Sequence, residues 1–227
     1  MMFPPTGLPR AVLSDMDGVL LDTETLSKIT FYALMESRGF DQAHAIFPQL
    51  VGRNKAAHYE IFRRDLPQGL DVMGFADEWM ARYLAMLVEN VPVKDGAMAL
   101  LKRMKTHDIP VLVVTSSATD KAEMLLQRAG LRPFIEQVIG GDQVALGKPA
   151  PDIYLKAAAT LPHPIDQMLA IEDSNYGVMA AHRAGAVTVQ IPDLAPPSDE
   201  VKALSPIILN HLDDLADHFN WPTIPLS

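Results

Sequence analysis

The sequence contains no cysteine and no long apolar run, and both absences restrict what the protein can do. Without cysteine there is no disulfide, no thiolate nucleophile and no cysteine-bound zinc, which fits a reducing cytoplasm. Apolar runs such as residues 111–114 are far shorter than the roughly 20 residues that span a bilayer. Residues 1–9 hold three prolines and no hydrophobic signal segment. We therefore expect a soluble, cytoplasmic protein.

Positive charge is also scarce. The chain has 19 lysines and arginines against 28 aspartates and glutamates, a net charge of −9. This balance argues against nucleic acids and anionic membranes as partners, because both require a clustered basic surface. The 48% hydrophobic and 21% charged residues are typical of globular proteins and exclude collagen-like, disordered and coiled-coil classes. The length of 227 residues allows one full domain plus a small inserted or appended one.

The first ninety residues contain one strand-like segment followed by helical patterns. Residues 11–14 are an apolar run that breaks into a polar turn, as a buried strand does. Helical spacing of apolar residues follows at 24–38, 56–66 and 75–89, with no strand-like run between residues 22 and 90. The pattern therefore predicts an all-helical unit after the first strand.

From residue 91 onward, predicted helices and strands alternate, which is typical of a parallel sheet covered by helices on both faces. Because the first strand is separated from the others by the helical unit, that unit is predicted to be an insertion. We thus predict an α/β class with a Rossmann-like core of residues 1–22 and 91–227, and an inserted all-helical cap domain of residues 23–90. The predicted strands are 111–114, 138–139, 168–171 and 187–191, and the helices are 96–105, 120–129, 151–159 and 176–184.

Acidic side chains follow two of the predicted strands. Asp15 and Asp17 come after the first strand, and Glu172 and Asp173 follow residues 168–171. A single such pair is weak evidence, since strand-to-turn junctions often use aspartate for local hydrogen bonds. In an open parallel sheet, however, ligands bind beyond the carboxyl ends of the strands, where both pairs would meet. Clustered carboxylates repel unless a cation neutralises them, and Mg²⁺ suits such an oxygen site.

Thr115, Ser116 and Lys148 allow two interpretations each. The hydroxyl and amide groups after strand 111–114 could bind a phosphoryl group or begin the next helix. Lys148 lies in a proline-rich loop and is either an ordinary solvated lysine or a fixed positive charge beside the carboxylates. Trp79, Tyr83 and the methionines of the cap helices recur at helical spacing and are interpreted as core, and the seven histidines as surface or core residues.

Four ordered motifs, taken together, resemble those of haloacid dehalogenase-like phosphohydrolases. They are DMDGVLLD at residues 15–22, VVTS at 113–116, GKPAPD at 147–152 and IEDS at 171–174. The resemblance runs from residue 11 to about residue 191. It is closest to the branch with a helical cap inserted after the first motif, which includes β-phosphoglucomutase and many small-metabolite phosphatases. The dehalogenase reaction itself is disfavoured, because a second aspartate and an acidic metal pair are the phosphoryl-transfer pattern.

The resemblance implies catalytic roles for four residues. Asp15 would be the nucleophile that forms an aspartyl phosphate, and Asp17 would be the general acid and base. Thr115 would bond a phosphoryl oxygen with help from the amide of Ser116. Lys148 would offset negative charge on Asp15 and on the phosphoryl group.

The resemblance also implies the cofactor and part of the substrate site. Mg²⁺ would be held by Asp15, the backbone carbonyl of Asp17, and Asp173, with Glu172 as a direct or water-mediated ligand. Gly18 would allow the tight turn that brings loop amides to the phosphate. The implied reaction is Mg²⁺-dependent hydrolysis of a small phosphorylated metabolite, a sugar or polyol phosphate.

Specificity is expected in the cap. Arg53, Asn54 and Lys55 offer cationic and amide groups there, although a solvated helix start would look the same. Two alternatives to a phosphatase remain: a phosphomutase, and a phospho-accepting signalling module. Ser27 aligns with the position where the mutase pattern has a histidine, which favours hydrolysis. We expect a monomer that acts on a small phosphate ester.

Overall fold

The computed structural model describes residues 7–51, 53, 55–89 and 91–222, and its strands form one parallel sheet. The order is β3-β2-β1-β4-β5-β6, with every neighbouring pair parallel. This confirms the predicted α/β class. The strands are β1 (Ala11–Ser14), β2 (Val111–Thr115), β3 (Gln137–Gly140), β4 (Met168–Glu172), β5 (Val187–Gln190) and β6 (Ile207–Ile208).

Strand β1 lies at the centre of this sheet and is buried along its whole length. It pairs with β2 on one side and β4 on the other, so Val12 lies opposite both Val111 and Leu169. Strands buried on both faces need continuous apolar runs, which is why the sequence pattern identified most of them. The two-residue strand β6 is too short to leave such a run and was not predicted.

Between β1 and residue 90, in the region predicted to be all helical, the described residues form four helices. They pack around an aromatic cluster of their own, in which Phe31 contacts Phe47, Phe62, Phe75 and Trp79. We call this four-helix unit the cap, while its exact domain boundaries stay a prediction. Its helices are α1 (Thr23–Ser37), α2 (Ala43–Leu50), α3 (Lys55–Asp65) and α4 (Val72–Glu89).

Helix α2 was not predicted. It has only eight residues, and Pro48 lies inside it near its end. A proline lacks the amide hydrogen that a helix interior uses, so its presence argues against a helix in the sequence. The buried side chains of Ile46 and Phe47 hold the segment against the cap core instead.

The remaining helices cover both faces of the sheet. Side chains alternate between faces along a strand, so Val12 joins a cluster with Leu101 and Leu125, while Leu13 joins one with Tyr154 and Ala181. The helices are α5 (Ala97–Thr106), α6 (Thr119–Arg128), α7 (Asp152–Ala158), α8 (Asn175–Ala184), α9 (Asp199–Ala203) and α10 (Asp214–His218), and short 3₁₀ turns lie at Arg132–Phe134, Gly141–Gln143 and Ile165–Gln167.

The two chain segments that join the cap to the sheet lie side by side. Leu21 and Val93 form an antiparallel bridge. The amide of Asp22 donates to the carbonyl of Pro92 at 2.9 Å, and the amide of Lys94 donates to the carbonyl of Leu20 at 3.0 Å. Within the described residues, no helix combines the length and apolarity that crossing a bilayer requires.

Candidate active site

The carboxyl ends of two adjacent strands bring three acidic side chains together. Asp15 follows β1, Glu172 is the last residue of β4, and Asp173 comes next in the chain. One carboxylate oxygen from each residue lies within 4.8 Å of the others. All three side chains are buried. The sheet-edge argument from the sequence predicted that both acidic pairs meet here, and of these four acids the Asp17 carboxylate is the one that is not part of the cluster.

Burial and crowding of these acids change their protonation. Burial raises the pKa of Asp15 and of Asp173 well above the usual range, and the neighbouring carboxylates raise both further. The cluster therefore disfavours its own negative charge unless a cation is added. Since each of the three residues offers a carboxylate oxygen as the metal ligand, the cluster fits a hard divalent ion such as Mg²⁺.

Lys148 is a fixed positive charge beside this cluster. Its Nζ atom donates to Asp15 Oδ1 at 2.5 Å, to Glu172 Oε1 at 2.5 Å and to the carbonyl of Val114 at 3.0 Å. Burial alone lowers the pKa of Lys148, but the two carboxylates raise it above its usual value. Of the two interpretations from the sequence, the structure therefore supports the charge partner rather than the solvated lysine.

Glu172 is held by more than its ion pair. The hydroxyl of Tyr154 donates to Oε1, and that of Ser174 donates to Oε2 at 3.4 Å. A Cβ atom on Gly177 would collide with the Glu172 carboxylate, so only glycine fits at that point of α8. Tyr154 was not predicted, because nothing in its sequence position indicates that α7 directs a hydroxyl at the end of β4.

Hydroxyl groups surround the carboxylate of Asp17. Thr23 donates to Oδ1 at 2.5 Å, while Thr115 and Ser117 donate to Oδ2 at 3.3 and 3.2 Å. Thr115 was a predicted site residue. Thr23 and Ser117 were not, since threonine and serine at helix starts are common for local reasons. Together these hydroxyls fix the direction in which Asp17 points.

Gly18 allows the loop after β1 to pass close to Asp173. Its φ is +85°, in the left-handed region that favours glycine. A Cβ atom at this position would lie 2.5 Å from Asp173 Oδ2. The need for glycine was predicted as a tight turn, and the approach of Asp173 adds a second reason.

A cavity of about 490 Å³ opens between the cap and this edge of the sheet. Its floor includes Asp15, Asp17, Thr115, Ser116 and Lys148, so the site residues predicted from the sequence motifs converge on it. Tyr83 and Trp79, interpreted as core, are indeed buried but also border the cavity, whereas Met73, Met80 and Met86 of the cap helix α4, also interpreted as core, are exposed. The other apolar residues on its cap side are Phe47, Leu50, Val51, Ala56, Ala76 and Met80.

The predicted cap residues differ in their surroundings. The Arg53 guanidinium lies 4.4 Å from the ring centre of Tyr176 and bonds its hydroxyl, which joins the cap to α8. Lys55 borders the cavity, but its side chain is 66% exposed and its Nζ lies 3.4 Å from Asp77 Oδ1. Asn54 lies outside the described residues.

Two further cavity residues, Glu24 and His58, were not predicted as site residues from the sequence. Glu24, in the first turn of α1, has its pKa raised to about 8 by burial and by the nearby carboxylates of Asp17 and Asp193. His58 borders the cavity with its Nε2 2.9 Å from the carbonyl of Leu50, and burial lowers its pKa. Only the folding of the cap over the sheet brings these residues to the site.

Comparison with known proteins shows to which family the chain belongs. A family model of haloacid dehalogenase-like hydrolases matches residues 9–185. The chain is 30% identical over 217 residues to a probable pseudouridine-5'-phosphatase of Drosophila melanogaster, covering 92% of each chain. It is 31% identical over 198 residues to (DL)-glycerol-3-phosphatase 2 of Arabidopsis thaliana, covering 80% of this chain and 79% of the relative.

A solved structure gives the same picture for the fold. The putative β-phosphoglucomutase from Thermotoga maritima superimposes with a TM-score of 0.74 at 25% identity. The match covers 92% of this chain and 98% of that one. The relatives thus include both phosphatases and a protein named as a mutase.

Proposed function

The chain belongs to the haloacid dehalogenase-like hydrolases and is a phosphoric monoester hydrolase, and from this premise we propose its substrate class, cofactor and mechanism. The substrate is a small sugar or polyol phosphate, the cofactor is Mg²⁺, and the reaction passes through an aspartyl phosphate on Asp15. The observation that carries the proposal is the meeting of Asp15, Asp17, Asp173 and Lys148 on the floor of one cavity.

In the first step, the Asp15 carboxylate attacks phosphorus and the bond to the alcohol oxygen breaks. Lys148 holds Asp15 Oδ1, and no hydrogen bond from the described residues engages Oδ2. Asp17 gives a proton to the leaving alcohol oxygen, while the hydroxyls of Thr23 and Ser117 keep its carboxyl in place. The released alcohol therefore departs uncharged.

In the second step, water attacks the phosphorus of the aspartyl phosphate and its proton passes to Asp17. Phosphate leaves, and both aspartates return to their starting states. Asp15, Asp173 and the backbone carbonyl of Asp17 would hold Mg²⁺, with Glu172 as a direct or water-mediated ligand. The ion would supply positive charge for the phosphoryl oxygens.

Several predicted residues would position the phosphoryl group and the alcohol. The Thr115 hydroxyl and the Ser116 amide bind phosphoryl oxygens, and Gly18 lets the loop approach them. Arg53 and Lys55 bind the alcohol part from the cap. The place of Thr115, Ser116, Arg53 and Lys55 on the cavity border supports these roles.

Hydrolysis is favoured over the other two candidate functions. A signalling module needs neither a cavity beside its aspartate nor an acid positioned to protonate a leaving group. This chain has such a cavity, and Asp17 borders it. Ser27 borders the cavity where the mutase pattern has a histidine, and a serine hydroxyl does not titrate near neutral pH.

Release of phosphate from p-nitrophenyl phosphate over many turnovers tests the proposal. We expect steady release with Mg²⁺ and none from the Asp15→Asn variant. A single burst of one p-nitrophenol per protein, with the phosphoryl group retained on the protein, would instead identify a signalling module. We also propose that the protein acts as a monomer in the cytoplasm, which light scattering of the purified protein and localisation of a tagged copy would test.

A further inference from the structure

The cap side of the cavity has an apolar surface, which offers no hydrogen-bond partner to a phosphate or a short polyol. Phe47, Leu50, Trp79 and Met80 form this surface, here called the cap wall. All four residues border the cavity. Met80 is 39% exposed, and the other three are buried. Apolar surface facing a cavity is unfavourable until a ligand covers it, and methionine adapts its shape to such ligands.

A buried hydrogen-bond donor lies at the same border. The Nε atom of Arg53 is buried and has no hydrogen-bond partner among the residues that the structure describes. Buried donors nearly always have an acceptor, so a ligand that reaches Arg53 should offer one. A purely aliphatic group would cover the cap wall and leave Arg53 unpaired. A second phosphate would pair with Arg53 and leave the cap wall uncovered.

A planar heterocycle satisfies both features, because its faces are apolar and its edge carries carbonyl or ring-nitrogen acceptors. The cavity is also large enough for one. Its volume of about 490 Å³ lies within the range of roughly 300–1,000 Å³ that holds drug-sized ligands. A three-carbon phosphate would occupy only part of this space.

We infer that the substrate is a sugar or polyol phosphate that carries a planar heterocyclic ring at the end far from the phosphate, and that the cap wall binds this ring. The inference rests on the proposed function, because the phosphate is taken to lie at Asp15. It adds what binds on the opposite side of the same cavity. Met80 is then a specificity-determining residue, with no part in the chemical steps.

A substrate comparison tests the inference first. We expect kcat/KM for uridine 5'-phosphate or flavin mononucleotide to exceed that for ribose 5-phosphate and glycerol 3-phosphate at least tenfold. Equal or better hydrolysis of the ring-free esters would overturn the inference and leave the phosphatase proposal intact. A preference for fructose 1,6-bisphosphate would also overturn it, since Arg53 would then pair with a second phosphate.

A matched pair of variants tests the cap wall itself. Met80→Gln keeps the length of the side chain but makes the wall polar, and we expect kcat/KM for the ring-bearing esters to fall roughly fivefold to tenfold. The ring-free esters should change less than twofold. Met73→Gln is the control, because Met73 lies on the same helix, is 57% exposed and does not border the cavity. An equal loss on both kinds of ester would contradict the assignment.

Binding to the Asp15→Asn variant separates this inference from the proposed function. By calorimetry with Mg²⁺ present, uridine 5'-phosphate should bind at least tenfold more tightly than ribose 5-phosphate. If no ester is hydrolysed by the wild-type protein, the proposed function fails while this ratio still decides the inference. Equal affinities for the two ligands would overturn it.

Discussion

Lys148 and Asp15 form a buried ion pair, with 2.5 Å between Nζ and Oδ1 and side chains that are 2% and 9% exposed. The same ammonium group holds Glu172, so one lysine orders carboxylates from two neighbouring strands. Neither charge is well solvated at this depth, and each depends on the other. Loss of Lys148 would leave both carboxylates buried without compensation, which is far more costly than loss of a surface pair, whereas loss of Asp15 would leave Lys148 paired with Glu172.

Lys148→Met should therefore reduce both stability and activity. We expect the free energy of unfolding to fall by about 3 kcal/mol, as when other buried pairs lose one partner. kcat should fall more than a hundredfold, because the nucleophile loses its orientation and the phosphoryl group loses a compensating charge. Urea unfolding and phosphate release measure the two effects. Lys156→Met, at an exposed position in α7, is the control and should change neither.

Asp15→Asn should preserve the fold and remove nearly all turnover, because an amide does not attack phosphorus effectively. Retention of more than about a tenth of the wild-type kcat, a barrier change below roughly 1.4 kcal/mol, would reject Asp15 as the nucleophile. Phosphate release measured alongside circular dichroism checks both parts. Asp166→Asn, at an exposed site near β4, should behave as wild type.

Removal of metal should abolish activity. EDTA should stop turnover, Mg²⁺ should restore it, and Asp173→Ala should raise the Mg²⁺ concentration needed for half-maximal rate steeply. Calcium should inhibit, since its larger and more flexible coordination shell spoils the alignment of nucleophile and phosphorus. A titration of rate against each ion gives these values. Full activity in EDTA after exhaustive dialysis would overturn the metal site.

Gly18→Ala should damage the site beyond its effect on the backbone. The added methyl group meets Asp173 Oδ2 at 2.5 Å and must displace a proposed metal ligand. Gly69→Ala is a matched control, because Gly69 has the same φ of +85° with no atom within 4 Å of the added Cβ. Both variants should lose about 1 kcal/mol or more of stability from backbone strain. Only Gly18→Ala should raise the Mg²⁺ requirement, and equal kinetics for the two would contradict this account.

The acceptor of the phosphoryl group should be water. We expect phosphate release from sugar phosphates and no conversion of β-glucose 1-phosphate to glucose 6-phosphate, even with a bisphosphate primer. Ser27 offers no titrating group near neutral pH, and Lys55 offers a point charge where the mutase pattern has an arginine fork. A coupled glucose-6-phosphate dehydrogenase assay measures isomerisation. Isomerisation faster than phosphate release would make the mutase the correct assignment.

The sequence predicted the sheet and its acidic edge because both depend on local patterns. Continuous apolar runs identified β1 and β4, and the rule that parallel strands present their carboxyl ends together placed Asp15 near Asp173. Helix α2 was missed because tertiary packing of Phe47 outweighs the unfavourable Pro48. Local sequence carries no information on such packing.

The cap wall and the supports of the acidic cluster could not be read in the same way. Tyr154 reaches Glu172 only because α7 packs on the sheet at one particular rotation. Glu24 and His58 meet the site only once the cap lies over the sheet. Three-dimensional arrangement of this kind depends on contacts between distant segments, which single-residue preferences do not encode.

The bridge between Leu21 and Val93 has a consequence for how the gene could change. The chain leaves the sheet and returns to it at neighbouring points. No long connecting segment is therefore needed to join these points, whatever residues lie between them. A two- or three-residue turn could close the same gap. Exchange of the segment between residues 22 and 92 would therefore replace the cap and the Thr23 hydroxyl that holds Asp17, while Asp15, Glu172 and Asp173 would stay on the sheet.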